Sequence, residues 1–242
     1  MYENIEGILY DWHNSIKLYN QNKDIVFFKE FIKDKKNKKI LIVGAGTGRI
    51  AIPLSEKNYI YALDIDKQRL ERLREKEYNN KDIKIINKDI EEYESKEKFD
   101  FIIFPYSTIQ NIHTKSKQKK VLKRTRELLK DDGICIIDIS NKFKEFQNYD
   151  YTNICEGECR DLGKYVIENE KVRVYKNYVK LYKKFVYEDK KVFFKKIETW
   201  DIIDETEFER FIIDVKLKLI DKKRGYDNTT EHRSIYILGR EV

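Results

Sequence analysis

The stretch ILIVGAGTGRI at residues 40–50 sets the tightest limit on what this chain can become. An apolar run breaks at Gly44, Ala45, Gly46 and Gly48 and then resumes with helical spacing, which predicts a strand, a tight turn and a helix start. Glycine suits such a turn because it takes backbone angles that a side chain forbids and lets a ligand approach the main chain closely. A second apolar run, YIYALDID at residues 59–66, closes on Asp64 and Ile65. An acid at the end of a second strand can accept bonds from two ribose hydroxyls, so the two runs together predict half of a Rossmann-like nucleotide site. The spacing is GxGxG followed by Arg49, whereas a dinucleotide fingerprint needs a third glycine later, where the helix packs under a pyrophosphate.

With 242 residues, 40% hydrophobic and 13% aromatic, the chain has enough apolar material for a substantial core, and one elaborated domain is expected. No run of 18 apolar residues occurs, and the opening MYENIEGILYDWHN lacks the basic-then-apolar layout of a secretory signal. The expectation is a cytoplasmic protein with no membrane association. Three cysteines argue against a disulfide framework. Cys155 and Cys159 in CEGEC have no second pair and no neighbouring histidine, so they read as loop thiols and no metal site is expected; Cys135, inside an apolar run, reads as a small core residue. The net charge of +7 suggests nucleic acid, but most lysines alternate with acids. The cluster Lys33, Lys35, Lys36, Lys38 and Lys39 precedes the first strand and reads as a solvated face.

Strands and helices alternate up to Ser140, which predicts a parallel sheet with helices on both faces. Ile25, Phe28 and Ile32 share one helical face over residues 24–32. After Ser140 the rhythm changes to long strand-like runs between residues 164 and 203 that turn at residues 188–190, predicting antiparallel hairpins. A helix capped by Asp204 or Thr206 and two closing strands follow. The organisation expected is residues 1–140 as an N-terminal lid and Rossmann-like core, 141–203 as an antiparallel β insertion covering the substrate, and 204–242 as the rest of the core sheet.

On these residues the chain resembles the class I S-adenosylmethionine-dependent methyltransferases. Four stretches carry the resemblance in order: the GxGxG turn, INKDI at residues 86–90, FDFIIFPYSTIQNI at 99–112, and LLKDDGICIIDIS at 128–140. The whole chain is similar to small bacterial members that act on diffusible acceptors, amino-sugar N-methyltransferases among them, sharing the Tyr10–Asp11 pair and a three-stranded insertion. The resemblance implies a seven-stranded, mostly parallel sheet with an antiparallel insertion after the fifth strand, and S-adenosylmethionine as cofactor. It implies that Gly44, Gly46 and Gly48 meet the methionine end, Asp64 the ribose, Asp89 and Ile90 the adenine, and the Phe104 carbonyl the methionine amine, with Ala45 and Ile65 also in the cofactor site. Tyr10 and Tyr19 would close a lid.

Where sugar-modifying relatives carry a histidine after the fourth strand, this chain has Asn111, with His113 two positions on. Candidate proton acceptors are therefore Tyr106, His113 and His13. The loop Phe104–Pro105–Tyr106–Ser107 lacks the amide or acid used on adenine amines, and no cysteine stands where C5-pyrimidine chemistry needs a nucleophile. The activity expected is methyl transfer to N or O of a small molecule or modified peptide by a monomer or homodimer. An RNA-modifying enzyme using the basic surface, and a cofactor-binding protein without catalysis, stay open as alternatives.

Overall fold

The computed structural model describes residues 4–17, 22–77, 80–227 and 232–241. Two helices, α1 (Ile5–Lys17) and α2 (Lys23–Phe31), precede the alternation β1 (Lys39–Val43), α3 (Ala51–Ser55), β2 (Tyr59–Asp64), α4 (Lys67–Lys76), β3 (Ile83–Asn87), β4 (Phe99–Phe104), α5 (Lys115–Leu128) and β5 (Leu129–Ser140). Four further strands follow: β6 (Tyr149–Cys159), β7 (Lys164–Val174), β8 (Tyr178–Tyr187) and β9 (Val192–Asp201). The chain closes with α6 (Glu205–Asp214), β10 (Leu217–Arg224) and β11 (Arg233–Arg240).

Seven strands form one sheet in the order β10-β11-β5-β4-β1-β2-β3, in which β11 runs antiparallel to both its neighbours. The continuous apolar runs of the parallel strands fit a sheet covered on both faces, because such a strand has no polar side to alternate with. In β1, Ile40 and Ile42 enter the core beneath α2, α3 and α4 with Phe28, Leu54 and Leu70, while Leu41 and Val43 enter the opposite one with Val121 and Phe208 of α5 and α6. The architecture is thus a Rossmann-like α/β sheet with helices on both faces.

The first turn runs on further than its glycines suggested. Helix α3 starts only at Ala51, because Gly48 at φ 88° holds the chain in a turn whose N–H returns to the Ala45 carbonyl.

The insertion after β5 is a four-stranded antiparallel sheet, β6-β7-β8-β9, rather than the three strands expected. Its first strand was hidden because two register irregularities, at Tyr149/Thr152 and Asn153/Cys155, break the two-residue rhythm by which a strand is recognised. Cys155 and Cys159 are accordingly buried strand residues, not loop thiols. They meet Ile8, Leu9 and Trp12 of α1, with Val166 and Phe185, in a third core between α1 and this sheet. Gly7 lets α1 lie close on α4, since a Cβ there would stand 2.7 Å from Arg72 Cβ. No helix among the described residues is long and apolar enough to cross a membrane.

Phe208 ties α6 to the sheet: it is fully buried, with its ring edge-on to Tyr236 at 5.2 Å. Phe208→Ala should cost about 3–5 kcal/mol in urea unfolding; a loss below about 1 kcal/mol would contradict this packing.

Candidate active site

The parallel strands β1 to β4 end on one edge of the sheet, and the loops leaving that edge carry most of the residues singled out in the sequence. After β1, the N–H groups of Gly44 and Ala45 both donate to the Leu63 carbonyl, at 2.8 and 3.0 Å. The Gly46 N–H donates to Asp64 Oδ2 at 2.7 Å, and the Asp66 N–H donates to Oδ1 at 2.9 Å. A carboxylate has about four lone-pair positions, so Asp64 keeps acceptor capacity beyond these two bonds. Burial raises the Asp64 carboxyl above its ordinary value although both backbone bonds favour the anion. A Cβ on Gly46 would meet nothing nearer than the Tyr10 ring at 3.7 Å, whereas one on Gly44 would strike Thr108 at 2.5 Å. The turn is therefore pressed against the loop after β4 and open toward α1.

Beside Asp64, Ile65 is 72% exposed, an apolar surface that nothing among the described residues covers. Asp89 accepts the Glu91 N–H at 2.9 Å, and Ile90 is buried in the core with Tyr93. Phe104 is fully buried at the end of β4, and the chain then passes through Tyr106 and Ser107, both left-handed at φ 51° and 63°. Two successive non-glycine residues in this region are strained and persist only where their surroundings fix them. Here Asp138 does so: it accepts from the Tyr106 N–H at 3.0 Å, from Arg233 Nη1 at 2.7 and 2.9 Å, and from the Tyr226 hydroxyl. Arg233 also donates to Ser107 Oγ at 3.2 Å. The Tyr106 ring lies between two guanidiniums, Arg233 at 5.0 Å and Arg49 at 5.5 Å, and Arg49 is itself bonded to Asp24 at 2.9 Å. Burial raises the Tyr106 phenol above its usual range, and the two arginines only partly offset it.

Helix α1 closes the open side. Thr47 Oγ1 donates to Asp11 at 2.6 Å, Arg72 Nε donates to the other Asp11 oxygen at 3.0 Å, and the Arg69 guanidinium lies 4.7 Å from the Tyr10 ring. Asn14, one turn beyond Tyr10, keeps a buried Nδ2 with no hydrogen-bond partner among the described residues. Tyr19, the second expected lid residue, lies outside the described residues.

Facing α1, the inner side of the four-stranded sheet carries a belt of charge that the sequence reading missed. His13 Nδ1 is 2.5 Å from Glu168 Oε2, and Lys183 Nζ is 3.0 Å from Glu168 Oε1. Lys183 also reaches Glu198 at 3.4 Å and Glu170 at 3.8 Å; Lys196 joins Glu198 at 2.6 Å and Glu6 at 3.0 Å, and Arg69 joins Glu6 at 2.7 Å. Burial would push these carboxyls up, but Lys183 and Lys196 prevail and hold Glu198 well below its usual range, as His13 and Lys183 do for Glu168. Cys155 lies with its thiol near His13 and Glu168; burial and the Glu168 charge push that thiol up to about 11, so it is a neutral neighbour. A signal for the belt was present: Val166, Glu168, Glu170 and Val172 alternate onto one face, as do Val179, Leu181, Lys183 and Phe185, each an apolar stripe interrupted by charge.

Of the three proposed proton acceptors, Tyr106 lies beside Arg49 of the glycine turn, and His13, one helical turn from Tyr10, meets Glu168 on the four-stranded sheet. His113 stands apart, because the short 3₁₀ turn Thr108–Asn111 carries the chain away to the start of α5. There His113 Nδ1 meets Asp201 at 3.2 Å and lines a cavity of about 480 Å³ with Gln118, Tyr178, Phe208 and Phe211; no glycine-turn residue lines it.

Residues 40–133 match the family model described as a methyltransferase domain. An S-adenosylmethionine-dependent methyltransferase from Clostridium acetobutylicum ATCC 824 superposes with a TM-score of 0.83 at 19% identity, over 98% of this chain and 100% of that one. CalS10, an amino pentose methyltransferase from Micromonospora echinaspora solved with S-adenosylmethionine bound, gives 0.72 at 12% identity, over 99% of this chain and 98% of that one. A Geobacillus sp. (strain WCH70) protein that bears a methyltransferase name is 27% identical over 109 residues, 44% of each chain. The chain thus matches less than half the length of that curated relative.

The belt has a pH signature. Glu6, Glu168 and Glu198 sit below the ordinary glutamate value of 4.5 in the fold. Their stabilisation is therefore complete above that value and is lost as pH falls through their folded values. The urea midpoint should hold steady from about pH 8 to about 5 and drop below about 4.5, less steeply in Glu198→Gln. A midpoint unchanged down to about pH 3 would contradict the assignment.

Proposed function

We propose that this chain, which has the class I S-adenosylmethionine-dependent methyltransferase fold and carries a methyltransferase domain over residues 40–133, moves a methyl group to a nitrogen or oxygen of a small molecule, with an amine the favoured acceptor. The observation that carries the reading is the Asp64 carboxylate bonded at 2.7 Å to the Gly46 N–H. It sets a diol acceptor directly beside a glycine turn.

The residues present suit the donor. Gly44, Ala45, Gly46 and Gly48 would offer main-chain groups to its amino-acid end, together with the Phe104 carbonyl, and Asp64 would accept from the ribose. The exposed Ile65, with Asp89 and Ile90, would receive the purine, and Tyr10 would close over the turn. When bound, the donor supplies a methyl group on a sulfonium, already activated for displacement. What the protein adds is alignment and exclusion of water, and alignment alone can contribute up to about 7–11 kcal/mol. The strained Tyr106–Ser107 loop, fixed by Asp138 and Arg233, supports the reading because it rigidly shapes the edge where an acceptor would enter.

The preference for an amine rests on the belt. Carboxylates of Glu168, Glu170 and Glu198 gather around Lys183 on the sheet that packs against α1, and an ammonium is the group such an acidic cluster would draw in. The amino pentose named for the Micromonospora structure agrees with an amine acceptor.

Asp64→Ala should weaken binding of S-adenosylhomocysteine at least tenfold in calorimetry while the circular dichroism of the fold is kept; unchanged affinity would remove the assignment. With a labelled donor, amines should outpace alcohols of similar shape in an acceptor screen. Faster labelling of the alcohols would reverse the preference.

A further inference from the structure

We propose that His13 takes the proton from the acceptor amine, with Glu168 as the residue that positions it and Lys183 as the cation that keeps Glu168 ionised. This rests on the amine reading above and assigns roles which that reading leaves open.

Placement comes first. Glu6, Tyr10 and His13 fall in one row along α1, at helical spacings of four and three. The two ends of the row are anchored on the covering sheet, Glu6 to Lys196 at 3.0 Å and His13 to Glu168 at 2.5 Å. Between them Tyr10 reaches over Gly46. His13 is thus one helical turn from the residue that covers the glycine turn, and 22% of its side chain is still open to solvent.

Chemistry follows from the bond. An ionised carboxylate can only accept, so Nδ1 must carry the hydrogen in the His13–Glu168 pair. The neutral ring then presents its lone pair at Nε2, the form a proton acceptor needs. Glu168 is fully buried, and Lys183 at 3.0 Å supplies the opposite charge that a buried carboxylate requires.

Charge balance points the same way. Glu6, Asp66, Glu168, Glu170 and Glu198 face Arg69, Lys183 and Lys196, so the belt has room for a further cation while His13 is neutral. An acceptor ammonium would supply that cation. On transfer, an ammonium N–H bond breaks, its electron pair stays on the acceptor nitrogen, and the proton bonds to His13 Nε2. The positive charge moves from ammonium to imidazolium without leaving the belt, so the step demands no new charge separation. The other candidates lack this setting. Tyr106 lies between two guanidiniums that are each already paired with an acid, and His113 lies in the cavity beside α5.

With only three histidines in the chain, ¹⁵N-histidine spectra of this 242-residue chain bound to S-adenosylhomocysteine resolve the question directly. Neutral His13 should be the Nδ1–H tautomer, Glu168→Gln should shift it toward Nε2–H, and Glu168→Asp should restore it. With glucosamine as the amine probe, His13→Gln should lower kcat about 100-fold, remove the acid limb of its pH profile and leave KM for the donor within about twofold. An Nε2–H tautomer in the unaltered protein, a tautomer indifferent to Glu168→Gln, or undiminished turnover by His13→Gln would each overturn the proposal. Failure of the unaltered protein to bind S-adenosylhomocysteine, with the tautomer as expected, would count instead against the methyl-transfer reading.

Discussion

The carboxylate of Asp64 joins two turns that would otherwise be independent. One oxygen holds the Gly46 N–H of the turn after β1, and the other holds the Asp66 N–H that begins α4. Since β1 and β2 are already paired in parallel, this clamp fixes both exits of the strand pair as one rigid edge. A buried acid bonded to two backbone donors is a strong restraint, and its carboxylate keeps acceptor capacity beyond those two bonds. Everything assigned to the site is arranged around that edge. Thr108 packs on Gly44 from the loop after β4, Thr47 reaches Asp11, and Tyr10 lies over Gly46.

Helix α1 is the second half of the design because it belongs to two bodies at once. Through Asp11 it is tied to Thr47, Arg72 and Lys76, and through Glu6 and His13 it is tied to the covering sheet. Partly exposed ion pairs of this kind add little net stability, because desolvation and solvent screening offset most of their attraction. Their effect is to fix one relative placement of α1, the edge formed by the β1 and β2 exits, and the four-stranded sheet. The apolar contacts of Ile8, Leu9 and Trp12 with Val166 and Phe185 supply the adhesion, and the charges set the register.

The core sheet was legible because its strands are buried on both sides, so apolar runs such as ILIV and FIIF stand out from a chain rich in charge. The glycine turn and Asp64 were legible for a related reason, since local backbone requirements leave few residue choices. What escaped was non-local. Strand β6 carries bulges that spoil its period, and Asp138, Arg233 and Tyr226 meet only because β11 inserts beside β5. The belt escaped because charged residues on an exposed-looking amphipathic strand are ordinarily solvated, and only the packing of α1 shows that Glu168 and Lys183 face inward. His113 looked favourable from its distance to β4 along the chain, yet four residues of 3₁₀ turn were enough to carry it to another cavity.

Backbone hydrogen exchange with and without S-adenosylhomocysteine tests the central claim most directly, because it reads the cofactor edge without needing an acceptor. The account predicts added protection concentrated in residues 43–49, 64–66, 87–90 and 104–107 and along α1, with β10 and α6 unchanged. Protection that is absent from the glycine turn and Asp64, or that appears mainly elsewhere, would contradict it.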